Sequence, residues 1–457
     1  MKGEKQKWEK CLKTKSGITL IALVVTIVVL LILAGVSISL LLDENGIIKK
    51  SKDARKEYGQ AKANEQEDLS NLSDMIDEAT AEPTPKVDVN TKAEDNSTIN
   101  GKKGTSKNPT IPKNYIPIDT ATSTWGDGST APSQDSVNHG LVIKDEKNNE
   151  WVWVPVPDVT VMCDTSNTKE YTLCGTTGDT AVKTKLYSKS GIISGKTRIT
   201  PGTTSNYREP DLLVGSGKEY DANRYCKTIL GETGTKEQLA KLFVAEYNEM
   251  ITSISKYGGF YIGRYELSGT VTEPTEKPGK TLTNTDWYNL YNACRSSKLQ
   301  ASDKVKTQMI WGCQWDVTMN WLISSGAKTS DEVNKNSSTW GNYSNYNTAN
   351  NYTEGTAGYE KNAGSKQNTG SSENWKANNI YDLAGNVWER TQEAGDTGGR
   401  ASRGGSCSYG GSIYAASDRN DDFPDSSGGR LRFSSHFNNK VILDTRAWAP
   451  VWRIIIK

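Results

Sequence analysis

From Ala394 to Asn439 the chain contains no Lys, Glu, Gln, Trp or Met. Those five types make up roughly a fifth of the sequence, so about nine would be expected in such a window. What remains is Gly, Ser, Asp, Asn, Tyr and Arg, with scattered Ala, Thr and apolar residues. A stretch of this kind has neither the 3.6-residue period of a helix nor the alternation of a strand over most of its length. An ordinary solvated loop is rich in Lys and Glu. Rigid Tyr beside adaptable Ser, Gly and Asn is instead the composition favoured at binding surfaces.

The rest of the composition narrows the function classes. A chain of 457 residues holds two or three domains and buries a core. Its formal net charge of +1 leaves no electrostatic footprint for nucleic acid, so no nucleic-acid partner is expected. The seven cysteines are Cys11, Cys163, Cys174, Cys226, Cys294, Cys313 and Cys407. None forms a CxxC or another metal spacing, so zinc is not expected. Cys163 and Cys174 are near enough in sequence to pair outside the cell, and the sequence leaves that bond open. Two histidines, His139 and His436, remove most His-based catalysis and His-rich metal sites.

At the N-terminus a Lys-rich segment precedes Ile18 to Leu42, twenty-five residues without a charge. That length is enough for a bilayer-spanning helix, and the preceding lysines would place the C-terminal part outside. The expectation is a single-pass cell-membrane protein with an extracellular C-terminal domain. Residues 47–78 read as a helical stalk, with Leu69, Leu72, Met75 and Ile76 on one face. Residues 79–114 hold few apolar side chains and many Pro, Thr, Asn and Lys, and read as a flexible linker. Beyond them, short β-type runs dominate: Gly140–Ile143, Trp151–Val156 and Gly259–Glu266. Two helices are expected, at Lys236–Ile254 and Met309–Ile323, and 328–376 reads as a long Asn/Thr/Ser/Gly-rich insertion. Thirteen tryptophans are expected to pin the loops. The fold class is therefore α+β with extended loops.

Two sets of motifs resemble known families. Lys15-Ser16-Gly17 before Ile18-Thr19-Leu20-Ile21 resembles the prepilin leader of type IV pilins and pseudopilins. The resemblance implies a leader over 1–17, a prepilin peptidase as partner, cleavage between Gly17 and Ile18, and pilus association. The fifth mature residue, usually Glu in that family, is Ala22, which fits membrane display through Ile18–Leu42 better than filament growth. In the large domain, GGFYIGRYE (258–266), IYDLAGNVWER (380–390) and Arg403-Gly404-Gly405-Ser406 resemble formylglycine-generating-enzyme (sulfatase-modifying factor) domains. Arg419 with Pro424-Asp425-Ser426-Ser427 extends the likeness. It implies an irregular C-type-lectin-like domain over 115–457, behind an 18–78 pilin-like transmembrane helix and stalk. It also implies calcium at the A-G-N-x-W-E turn, with Asn386 and Glu389 as oxygen ligands. Alternatively, those two side chains simply hydrogen-bond the turn.

Catalysis is not implied. The aerobic enzymes hold copper with two cysteines, three and eight residues beyond the R-G-G-S serine. Here those positions are Tyr409 and Tyr414, so copper is not expected. Within the fold, the chain resembles the variable proteins of diversity-generating retroelements. Those systems rewrite adenines in template-copied codons, chiefly Asn codons. Such rewriting yields Asn, Asp, Ser, Tyr, Gly, Arg, Ile, Phe and Cys but never Lys, Glu, Gln, Met or Trp. That is the exclusion found over 394–439. The resemblance implies a surface-displayed, non-catalytic ligand-binding protein whose ligand is a protein or a glycan. Its selected surface would be Cys407, Ser408, Tyr409, Ile413, Tyr414, Asp418, Asn420, Asp421, Asp422 and Phe423. Its scaffold would be Arg403–Gly405, Gly411, Ser412, Ala416, Ser417, Arg419 and Pro424. The alternatives are a fixed-sequence minor pilin with an adhesive or structural domain and, third, a formylglycine-generating-type oxidase. The apolar ending Trp448–Ile456 reads as a closing strand, with Arg453 as a candidate core arginine.

Overall fold

A computed structural model describes residues 25–30, 84–118, 139–162, 222–349, 359–394 and 400–422. It also describes 137, 170–172, 183–185, 209, 353–354, 356, 437–438 and 441–445. By internal contacts the chain divides into Met1–Ala81 and Glu82–Lys457. In the first unit, residues 25–30 are helical. Among the described residues no helix is long and apolar enough to cross a membrane. This corrects two expectations, the transmembrane helix in the fold class and the single-pass cell-membrane localisation. The six described helical residues span about 9 Å, against about 30 Å of hydrocarbon. Gly17, Ile18, the rest of 18–42 and the 47–78 stalk lie outside the described residues.

The second unit mixes helix and sheet. The elements used below are, in chain order, β1 (Ile116–Pro117), β2 (Val142–Lys144), β3 (Glu150–Pro155), α1 (Ala222–Leu230), α2 (Lys236–Tyr257), β4 (Gly259–Gly263), α3 (Trp287–Cys294) and β5 (Val305–Met309). They continue with α4 (Gly312–Ser324), α5 (Ser330–Asn334), α6 (Tyr346–Ala349), β6 (Trp388–Ala394), β7 (Arg400–Arg403), β8 (Asn420–Asp422), β9 (Phe437–Asn438) and β10 (Val441–Thr445). The central sheet has the order β1-β2-β3-β4-β10-β5, antiparallel throughout. Successive side chains of a strand point opposite ways, and in β3 and β4 each set is buried under its own layer of helices. Trp151, Trp153 and Tyr261 enter one core, packed against α2 and α3 through Phe243, Trp287 and Tyr291. Val152, Val154, Phe260 and Ile262 enter the other, packed against α4 through Trp315, Met319 and Leu322.

Local signals set the helix ends. The Thr235 hydroxyl accepts from the Gln238 N–H while Gln238 Oε1 accepts from the Thr235 N–H, so α2 opens on a capping box. It closes at Gly258, whose φ is +75° and whose N–H donates to the Ile254 carbonyl. A Cβ at Gly258 would stand 2.4 Å from the Ser106 nitrogen, so glycine also admits the 84–114 segment here. That segment is not a linker. Val87, Ala93, Ile99 and Ile111 lie in the first core, and backbone bridges pair Lys86 with Thr98 and Ser97 with Ile111. The second expected helix starts later than its apolar run: Met309 ends β5, and α4 begins at Gly312. Trp448–Ile456 and Arg453 lie outside the described residues, while β10 just before them closes the central sheet between β4 and β5. Among the described residues eight tryptophans are at most 2% exposed, Trp340 and Trp375 of the insertion among them.

Candidate functional site

A second sheet, ordered β8-β7-β6-β9, carries the loop 404–419 between β7 and β8. Its start is fixed by two glycines in the left-handed region, Gly404 at φ +83° and Gly405 at +80°. A Cβ on Gly404 would stand 2.2 Å from Glu389 Oε2, and one on Gly405 2.8 Å from the Tyr343 ring and the Tyr414 carbonyl. Only glycine meets both demands.

The loop backbone is held from outside itself, chiefly by the insertion. The Ser344 N–H donates to the Tyr409 carbonyl at 2.9 Å and the Ser337 N–H to the Gly411 carbonyl at 3.1 Å. In the other direction, the Gly411 N–H donates to Asn345 Oδ1 at 3.2 Å and the Ala416 N–H to Ser337 Oγ at 2.9 Å. The Tyr343 hydroxyl donates to the Gly404 carbonyl at 2.6 Å, and Trp315 Nε1 to the Ala416 carbonyl at 3.0 Å. Burial pushes the Tyr343 phenol well up, so it remains a donor. At Gly411 a Cβ would meet the Ser338 nitrogen at 2.4 Å.

Beneath the loop lies a buried ion cluster. Arg403 pairs with Asp316 and, at 3.2 Å, with Glu393. Arg419 pairs with the same Asp316 and reaches Glu393 from Nε at 3.0 and 3.1 Å. Each end of the loop is thereby tied to α4 and β6 by one guanidinium. The facing carboxylates hold Arg419 charged, pushing its pKa further up against the opposing effect of burial.

With the backbone held, the side chains sort into two sets. Ser408, Ser412 and Ile413 are exposed, Ile413 at 43%, and Tyr409 and Asn420 are half-buried. Cys407, Tyr414 and Asp418 are not surface residues, at 1%, 7% and 1% exposure. Their reasons differ. Tyr414 lies edge-on between Trp388 and Tyr409, with centroids 4.7 and 5.0 Å away. Asp418 Oδ2 accepts the Ala415 N–H at 3.0 Å, closing a turn. Cys407 lies under the loop with its N–H on the Asn386 carbonyl, and burial pushes its thiol up to about 11. Ser412, expected as scaffold, faces outward instead. Asp421 and Asp422 sit on β8 opposite Ala401 and Arg400, their side chains outside the described residues with Phe423.

Asn386 and Glu389 are both fully buried. The Asn386 oxygen accepts from Asn342 Nδ2 at 3.0 Å and from the Gln367 N–H at 2.9 Å, and its amide donates to Glu266 at 2.6 Å. Both lone pairs of that oxygen are engaged, so Asn386 does not fit a calcium ligand as built. Its side chain instead ties this turn, where its φ is +52°, to Asn342 and Gln367 of the insertion and to Glu266. Among the described residues no group of three or more His, Cys, Asp and Glu is placed to hold a metal ion.

Sequence reasoning missed the bracing residues Ser337, Tyr343, Ser344 and Asn345 and the carboxylates Asp316 and Glu393. No local signal marks them: all but Glu393 meet the loop or its flanking arginines across 60 or more residues of chain, and Glu393, ten residues before Arg403, stands in a strand whose sequence does not say which partner it faces. Neither a protein-family model nor a curated protein matches the chain.

Proposed function

We propose that this is a non-catalytic ligand-binding protein whose contact face is built on the 404–420 loop, as in the variable proteins of diversity-generating retroelements that it resembles. The observation that carries the reading is the division within the loop. Its backbone is held by the insertion and by the Arg403 and Arg419 ion pairs, while Ser408, Tyr409, Ser412, Ile413 and Asn420 project from it. A held backbone with replaceable outward side chains lets contact chemistry change without refolding, and it lowers the entropy lost on binding. Tyr409, backed by Tyr414 and Trp388, supplies a rigid aromatic anchor, and Ile413 supplies apolar area beside it. The codon-like exclusion of five residue types over 394–439 supports diversification of this face. The positions that hold copper cysteines in the resembling enzymes are here part of that aromatic stack.

The test is a library with codons 408, 409, 412, 413 and 420 randomised and displayed for selection against unrelated proteins and glycans. Most members should fold with native-like melting, and binders to several targets should emerge. If most members fail to fold, the five side chains are structural and the reading is wrong.

A further inference from the structure

Glu209 is buried completely, against the start of α4 and the ion cluster. Its carboxyl accepts the Gly312 N–H and, at 3.1 Å, the Cys313 N–H. Glu393 reaches the same place from β6. An ideal Cβ on Gly312 would stand 2.5 Å from Glu393 Oε2 and 2.9 Å from Glu209 Oε1. Two carboxyl groups thus converge where no side chain separates them. The titratable and charged groups facing this point are Glu209, Cys313 and Asp316 of α4, Glu393 of β6, Arg403 of β7, and Arg419. Three carboxyls therefore meet two guanidiniums, one negative charge in excess when all are ionised. The Cys313 thiol, pushed well up by burial, adds no charge.

We propose that Glu209 is a protonation switch for the face above it: neutral, it completes a charge-balanced clamp, and ionised, it repels Glu393 and loosens the hold of Arg403 and Arg419 on the loop. The physical terms agree on direction. Burial and then the nearby Glu393 push the Glu209 carboxyl up to about 7, outweighing the Cys313 and Gly312 donors that favour its charged form. A carboxyl raised in the folded state binds more protons there than when released. Its stabilising contribution is complete below its ordinary value of 4.5 and is lost as pH rises through about 7.

The test is hydrogen exchange of peptides covering 404–416, corrected for intrinsic rates, in the wild-type chain and in Glu209→Gln between pH 5 and 8. In the wild type the loop-opening equilibrium should rise by up to about tenfold per pH unit between pH 5 and 7 and then level off. Glu209→Gln, which keeps the shape without the titration, should remove most of that rise. Parallel profiles would overturn the proposal. Carboxyl carbon NMR of the wild type provides a reading independent of any variant: one glutamate should titrate near neutrality, and none doing so would equally overturn it.

Discussion

Substituting Asp316 with Ala should be among the most damaging single changes in this domain. Asp316 is 1% exposed and takes one guanidinium on each carboxylate oxygen, from Arg403 at 0% and Arg419 at 6% side-chain exposure. Removing it takes one carboxylate from each of two buried guanidiniums, which still share Glu393. Breaking a buried pair by deleting one partner costs about 3–5 kcal/mol, a large part of the roughly 5–15 kcal/mol that holds a domain. The loss arises from stranding charge, so it should be partly recovered by removing a stranded group. In the Asp316→Ala background, Arg419→Met should cost at least about 1 kcal/mol less than in the wild type. Urea unfolding followed by tryptophan fluorescence measures all four corners of the cycle. Ser408→Ala and Ile413→Ala, at exposed positions, should each stay within about 0.5 kcal/mol on the same assay. An Asp316→Ala loss below about 1 kcal/mol, or additive effects of the two substitutions, would refute the clamp.

Two further outcomes follow from the loop and the turn beneath it. Gly405→Ala combines φ +80° with a Cβ 2.8 Å from Tyr343 and Tyr414, whereas Gly231→Ala meets strain at φ +91° with nothing within 4 Å. The first should cost about 2 kcal/mol or more and the second about 1, so melting curves of equal displacement would contradict the close packing at Gly405. Because the Asn386 oxygen is already engaged twice, millimolar calcium and a chelator should give the same melting temperature. A calcium-dependent rise of several degrees would show a site that this arrangement lacks.

Three strands of the central sheet, β2, β3 and β4, were legible in the sequence because their signals are local, whereas β1, β5 and β10 were not. Trp151-Val152-Trp153-Val154 alternates two kinds of apolar side chain, and the structure sends each kind to its own core. The helix expected over Lys236–Ile254 is α2, which runs three residues further, to Tyr257. Residues 84–114 misled because composition reports what a segment can bury alone. Val87, Ile99 and Ile111 are few, but each fits a core that the rest of the domain supplies. The loop was legible as a special stretch through the residue types missing from it. Its inside and outside were not, since turns at 407–418 have no period that would assign Tyr414 inward and Ser412 outward. The clamp was hidden for a further reason. Arg403 and Arg419 stand in the motifs, but their carboxylates lie on α4 and β6, and folding alone brings them together.

The most direct test of the account is deep sequencing of the 3′ end of this gene in a growing population, together with the neighbouring DNA. The account predicts substitutions at adenine-derived positions, concentrated in the codons of Ser408, Tyr409, Ser412, Ile413 and Asn420. The codons of Arg403, Gly404, Gly405, Gly411 and Arg419 should stay constant, and a reverse transcriptase and a near-identical template should lie nearby. Variation spread evenly over face and scaffold, or an invariant segment with neither template nor reverse transcriptase beside it, would contradict it.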